Sequence, residues 1–332
     1  MNRNPKPELR IGVDIGGTKI SAGVVDSAGK ILTKVRTPMA ARRSAEEGLQ
    51  AVVECLNLLM RNPRVKRAAS IGISVPGWVD TARGSLLSAT NIPCWRDFPL
   101  AREIEKRYGL PTRIANDAKV AALAEALWGA GKGYRNVFYV TVGTGIGTGM
   151  VLDGRIYEGR TGAAGEGGHT TIDFNGPQCA CGKRGCIEAY ASGTAIGKRA
   201  RERMKETAAA DSPMLALAGG TREAVTSEIV AKAAEQGDSL ALDVLHEAAE
   251  RVAIWLGNII ELLEPDIIVV GGGVGHLMMS YSKAIYKALE DWAINPRWKL
   301  IPIAEAKYGA ESAMVGAAAL GLAVTASRVK PK

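Results

Sequence analysis

The sequence predicts an α/β protein of two domains, in which strands and helices alternate along the chain. Three observations predict it. Short apolar runs of strand length alternate with longer runs of helical spacing, glycine-rich turns follow several of the strands, and the opening of the chain is echoed near its middle. Glycine accounts for 39 of 332 residues, while Phe, Trp and Tyr together make only 5%. Against a usual glycine share of ~7%, that balance points to tight backbone turns rather than aromatic stacking surfaces. With 47% hydrophobic and 23% charged residues the chain can bury a large core, which excludes disorder and collagen-like order.

The elements follow in order. Strands are expected over 9–14, 19–26 and 31–36, the last two joined by the turn Ser27-Ala28-Gly29, which makes an antiparallel meander. A helix over 44–60, a strand over 68–75, a helix over 100–108, a short strand over 112–115 and an Ala-rich helix over 117–128 come next. From Asn136 the opening recurs: VTVGTGIGTGMVLDGRIY echoes VDIGGTKISAGVVDSAGKIL, with Gly16 matching Gly143, Asp26 matching Asp153 and Lys30 matching Arg155. The echo fits two similar halves, and it equally fits two unrelated glycine-rich hairpins. Leu245, Ala248, Ala249, Val252, Leu256, Ile259, Ile260 and Leu263 give a three-four spacing that ends before Pro265, a long helix with one buried face. The apolar run 267–270 suits a buried parallel strand, and a small-residue helix from about Ser312 closes the fold.

The net charge of +8 invites a nucleic-acid reading, but Arg3, Lys6 and Arg10 against Glu8, with Arg328, Lys330 and Lys332, place about five of those charges in the tails. No Lys/Arg run interleaved with aromatics appears, so no nucleic-acid partner is expected. The longest uncharged stretch, 312–327, is short of a ~20-residue membrane span, and no basic start with an apolar run opens the chain. No membrane partner and a cytoplasmic location are expected.

Three glycine turns each follow an apolar strand: DIGGTK at 14–19, GTGIGTG at 143–149 and GGGVG at 271–275. Such turns let backbone N–H groups approach phosphate oxygens. Neither G-x-x-x-x-G-K-[ST] nor the dinucleotide spacing G-x-G-x-x-G occurs in them, so a nucleotide would be gripped another way. His169 followed by C-A-C-G-K-R-G-C supplies one imidazole and the thiols of Cys179, Cys181 and Cys186. That set fills a tetrahedral structural zinc, with three buried free thiols beside an unrelated histidine as the alternative. Carboxylates gather nearby at Asp14, Asp117, Glu166 and Glu188, and the pair Asn116-Asp117 has the composition of a helix cap.

Taken in order, DIGGTK, SVPG at 74–77, ND at 116–117, the long VGTGIGTGMVLDGRIYEGRTGAAGEGGH stretch, CACGKRGC, EAYASG at 188–193 and VVGGGVG at 269–275 resemble the motifs of the ROK (repressor, open reading frame, kinase) family, and within it the bacterial glucokinases. The resemblance implies a hexokinase–actin-like ATPase fold, two α/β domains with ribonuclease H-like cores around a cleft, and a zinc-bearing loop. It implies 1–116 with 312–332 as the small domain and 117–311 as the large one carrying the zinc. It further implies an ATP- and magnesium-dependent kinase acting on the six-position hydroxyl of glucose, with an N-acetylhexosamine or fructose kinase, or a non-catalytic sugar-sensing regulator, as alternatives. By the same likeness Asp14 helps hold magnesium, and Gly16, Gly17, Thr18 and Lys19 make the first phosphate turn. Thr144 and Gly145 belong to the second turn, and Gly272 and Gly273 flank the adenosine. Asn116, Asp117, Glu166, His169 and Glu188 bind sugar hydroxyls, Asp117 is the general base, and His169 also ligates zinc with the three cysteines. A homodimer or higher homo-oligomer is the family expectation. The regulators carry an N-terminal helix-turn-helix, for which the roughly ten residues before the first strand are too few. One departure stands out: where the family often continues Ala-Asn after the ND pair, this chain has Ala118 and Lys119.

Overall fold

The computed structural model describes residues 8–39, 44–89, 91–206 and 212–322. The basic tail residues Arg3, Lys6, Arg328, Lys330 and Lys332 lie outside them. The described chain falls into two compact units, one built from residues up to 139 with 149–165 and 306 onward, the other from 140–148 with 166–305.

The first unit opens with the meander β1 (Leu9–Ile15), β2 (Lys19–Val25) and β3 (Ile31–Pro38), followed by α1 (Ala45–Met60) and β4 (Ala68–Val75). Three short strands, β5 (Trp78–Asp80), β6 (Ser85–Ser88) and β7 (Arg96–Phe98), form a sheet of their own. Then come α2 (Leu100–Tyr108), β8 (Thr112–Asn116) and α3 (Asp117–Trp128). The large sheet has the order β3-β2-β1-β4-β8, with β1, β4 and β8 parallel. β1 is almost wholly buried, as a strand covered on both faces must be. The helix expected over 44–60 starts one residue later because Ser44 is its cap, its hydroxyl accepting from Glu47 N at 3.1 Å.

The helix α11 (Ser312–Ala319), made of Ala, Gly and small apolar residues, packs directly on the large sheet and on α3. A Cβ on Gly72 would come 1.7 Å from Ala317 O, and one on Gly12 would come 1.9 Å from Met314 O, so glycine is required in both strands for the helix to approach. The expected domain cut between 116 and 117 therefore falls inside the first compact unit, where α3 is held against α11.

In mid-chain stand β9 (Val137–Val142), β10 (Ile146–Leu152) and β11 (Arg155–Ile156), and the boundary between units runs through β9 and β10. The second unit continues with α4 (Glu188–Ala191), α5 (Gly193–Glu206), α6 (Pro213–Leu217), α7 (Ser227–Glu235) and α8 (Ser239–Leu263). It ends with β12 (Ile267–Gly271), α9 (Gly273–Ser280), α10 (Ser282–Trp292) and β13 (Ile303–Glu305). The sheet order β11-β10-β9-β12-β13 repeats β3-β2-β1-β4-β8 element for element. The mid-chain echo in the sequence is thus matched by a repeated topology, in favour of similar halves over chance likeness. α8 begins six residues before the first apolar position counted in the sequence, where Asp238 accepts from Ala241 N at 3.0 Å. It stops at Glu264, which takes a left-handed conformation ahead of Pro265. Among the described residues no helix is long and apolar enough to cross a membrane.

Candidate active site

In the first unit the candidate residues cluster at the C-terminal ends of β1, β4 and β8. The turn after β1 is closed by Gly16 N donating to Lys19 O at 2.9 Å, while Thr18 O accepts from Met39 N at 2.9 Å. Asp14 sits on β1 beside Ser74 of β4, whose hydroxyl donates to its Oδ1 at 2.9 Å. Burial pushes the Asp14 carboxyl above its ordinary range, while the Ser74 bond and the charges of Lys19 and Arg36 pull the other way. A half-buried carboxylate oxygen with one hydroxyl partner is of the kind that a divalent cation takes as a ligand.

At the end of β8, Asn116 is the cap of α3: its Oδ1 accepts from Ala118 N at 3.0 Å and Lys119 N at 3.3 Å, and its Nδ2 donates to Gly77 O at 3.1 Å. Asp117 Oδ1 also accepts from Ala118 N, at 2.8 Å. The capping role that composition assigned to the pair thus falls chiefly to Asn116. Lys119 is buried and donates to Gly162 O, so it takes a structural contact that its place in the sequence did not announce.

The second unit gathers the rest. Glu188, first residue of α4, accepts from Ile146 N at 2.8 Å through Oε2, and a Cβ on Gly145 would come 2.5 Å from that oxygen. Its Oε1 lies 3.8 Å from His169 Nδ1 and 3.9 Å from Cys179 Sγ. One carboxylate therefore joins the second glycine turn to the cysteine–histidine cluster. Glu166 and His169 flank the two glycines of a tight turn seated on β10, where Gly167 N donates to Thr148 Oγ1 at 2.9 Å.

His169, Cys179, Cys181 and Cys186 bring four ligand atoms within 4.8 Å of one another. Cys179 Sγ is 3.6 Å from His169 Nδ1, and Cys181 Sγ is 3.7 Å from Cys186 Sγ. A zinc tetrahedron with bonds near 2.3 Å has edges of roughly 3.7 Å, so the set fits that ion. Burial and the neighbouring sulfurs push the Cys186 thiol up to about 12. A cation that takes up thiolate charge suits such a cluster. Lys183 Nζ donates to His169 O at 2.7 Å, and Trp255 Nε1 donates to Thr170 Oγ1 at 2.9 Å, so the backbone around the histidine is fixed from both sides.

A cavity of about 570 Å³ opens beside the second glycine turn. Thr144 and Gly273 line it, without Gly145 or Gly272, together with Gly193, Gly197 and Arg201 of α5 and Thr226 and Glu228 at the start of α7. Gly272 caps α9 at φ +84, a conformation that favours glycine, and a Cβ there would come 2.3 Å from Val142 O. A nucleoside fits a cavity of this size with glycine backbone at one end. The α5 and α7 contributors were missed because nothing local in GTAIGKRAR or VTSE marks them; tertiary packing alone brings them to the turn.

The sequence profile of the ROK family matches residues 10–324. The chain belongs to the ROK family. It is 37% identical over 321 residues to a glucokinase of Streptomyces coelicolor, covering 94% of this chain and 97% of the relative. An N-acetyl-D-glucosamine kinase of Haemophilus influenzae is 33% identical over 322 residues, with 94% of this chain and 98% of the relative covered. Among solved structures, a ROK family glucokinase from Streptomyces griseus in complex with glucose and AMPPNP is 35% identical with a TM-score of 0.79, over 94% of this chain and 98% of that one. The α/β sugar-kinase, actin-like ATPase fold expected for the family is thereby established for this member.

Proposed function

We propose that this ROK protein is an ATP-dependent hexose kinase that phosphorylates the six-position hydroxyl of glucose, with Asp117 as general base. The observation that carries the reading is 37% identity to a glucokinase over 94% of the chain, beside a ROK family match over residues 10–324, a span that holds the glycine turns, the Asn116-Asp117 pair and the Cys/His cluster. Phosphoryl transfer asks the protein to position donor and acceptor and to neutralise charge, rather than to form covalent bonds. Asp117, at the start of α3, takes the proton of the attacking hydroxyl. Asn116, Glu166, His169 and Glu188 bind sugar hydroxyls, His169 through the ring nitrogen opposite the cluster. Gly16, Gly17, Thr18 and Lys19 contact phosphate, as do Thr144 and Gly145, while Gly272 and Gly273 flank the adenosine, Gly273 from the lining of the cavity. Magnesium, held with help from Asp14, supplies charge neutralisation on the phosphates when bound. Zinc at His169, Cys179, Cys181 and Cys186 is structural. The protein works in the cytoplasm as a homodimer or higher oligomer, with small molecules rather than nucleic acid or membrane as partners.

A second reading, an N-acetylhexosamine kinase, draws on the 33% identity to the N-acetylglucosamine kinase. A coupled assay over glucose, mannose, fructose, N-acetylglucosamine and N-acetylmannosamine, with ATP and with polyphosphate, separates the readings. Glucose with ATP should give the highest kcat/KM. A tenfold preference for an N-acetylated sugar would reassign the substrate, and no turnover of any sugar would remove the kinase reading.

A further inference from the structure

Lys119 is only 6% exposed, and a buried ammonium must have its donors bonded to be tolerated. Its Nζ donates to Gly162 O at 2.5 Å, a charge-assisted bond to a main-chain carbonyl. Gly162 lies in a segment where Gly159, Gly162 and Gly165 all have positive φ, at 68, 83 and 93, within seven residues. Three glycines so close give an unclamped chain many conformations to lose. Several described contacts clamp it, among them Ala164 N donating to Glu158 O at 3.1 Å. Thr81 Oγ1 donates to Glu158 Oε2 at 2.8 Å, Gly162 packs so close to Val79 O that a Cβ would come within 2.8 Å of it, and Lys119 binds the Gly162 carbonyl. On the other side of Asp117, Asn116 Nδ2 binds Gly77 O. The residue before the proposed base and the residue two positions after it thus each hold a main-chain carbonyl of a different loop. Glu166 follows Gly165 directly in the chain.

We infer that Lys119 is a positioning residue for the sugar side of the reaction: its ammonium fixes the 159–165 segment in the conformation from which Glu166 leaves it, and braces the first turn of α3 that carries Asp117. The inference rests on the reading of Asp117 as base and Glu166 as a sugar contact. The four-carbon stem of lysine is what spans the gap to Gly162, and an asparagine at this position is too short to do so.

Lys119→Met keeps the stem and removes the donors. The expected result is a sugar KM raised about fivefold or more, an ATP KM within about twofold of wild type, and amide hydrogen exchange over 159–165 accelerated about tenfold. Lys119→Arg, which restores a donor, should recover most of the sugar affinity. A folded Lys119→Met protein with unchanged exchange and unchanged sugar KM would overturn the inference, and so would an equal rise in both KM values, the mark of general damage. If the Met variant does not fold, Lys119→Gln measured the same way decides between the same outcomes. Asp117→Asn run in parallel keeps the two readings apart: full activity there would remove the base assignment, while the exchange result would still report on the clamp.

Discussion

Asp14 carries a carboxylate whose burial works against its charge, with the Ser74 hydroxyl, Lys19 and Arg36 opposing that effect only in part. A group whose pKa is raised on folding contributes stability that is complete below its unfolded value and is lost as pH rises through the folded one. The negative charge of Asp14, where it is ionised, therefore costs stability. Asp14→Asn keeps an acceptor for Ser74 and removes that charge, so its melting temperature at pH 7 without nucleotide should rise while kcat falls by roughly tenfold or more. A variant that melts lower than wild type would contradict the burial argument. Asp117 is open to a sharper test, because Asn116 already holds the cap of α3. Asp117→Asn should retain the fold and sugar binding and lose ~100-fold or more in kcat. If the residue served the cap alone, asparagine would replace it with little change in rate or stability.

At the scale of elements, α3 is pinned at its far end by Glu125, which is fully buried. Its carboxylate accepts from Ala130 N, Lys307 N and Tyr308 N, each at 3.0 Å, and from Ser312 Oγ at 3.3 Å. Glu125→Ala would leave three backbone donors without their acceptor, the Ser312 hydroxyl keeping Gly309 O at 2.9 Å, and a loss of ~3 kcal/mol or more is expected from the shift in a denaturant midpoint. The cysteine–histidine loop gives a second test. Cys181→Ser leaves three ligands and should lower zinc content from about one per chain, reduce thermal stability, and raise the sugar KM more than the ATP KM. The last effect follows from Glu188, which touches both the cluster and the second glycine turn, and from Glu166, three residues before His169. Undiminished sugar affinity in metal-free protein would take zinc out of the mechanism. Most of these elements were legible in the sequence because they rest on local signals. The meander β1–β3 shows in apolar runs and its turn, α3 in its cap and Ala-rich composition, and the cluster in cysteine spacing. Arg201, Glu228 and the partner of Lys119 were not, since each owes its place to a segment distant in sequence, and no periodicity or spacing encodes such a meeting. β5–β7 were missed for a related reason: strands of three or four residues are too short to show an alternation.

At the scale of the whole molecule, the two five-stranded sheets with one strand order give the chain two sets of glycine turns, each following a strand of its own sheet. Turns repeated in this way account for part of the abundance of glycine. The net charge, which invited a nucleic-acid reading, sits mostly in the tails. Of the net +8, about five units belong to residues 1–10 and 328–332, so the folded body carries only about +3. Affinity for DNA scales with the number of phosphates neutralised, and a few dispersed charges release few counterions. Fluorescence anisotropy with a labelled duplex should therefore detect only weak, steeply salt-dependent association at low salt, carried by the tails, and none of consequence at 0.15 M salt. Removing 323–332 should weaken even that residual binding, because three of the tail cations go with it. Sequence-dependent binding at 0.15 M salt that survives this truncation would place a nucleic-acid surface on the folded body and make regulation, rather than catalysis alone, part of what this ROK protein does.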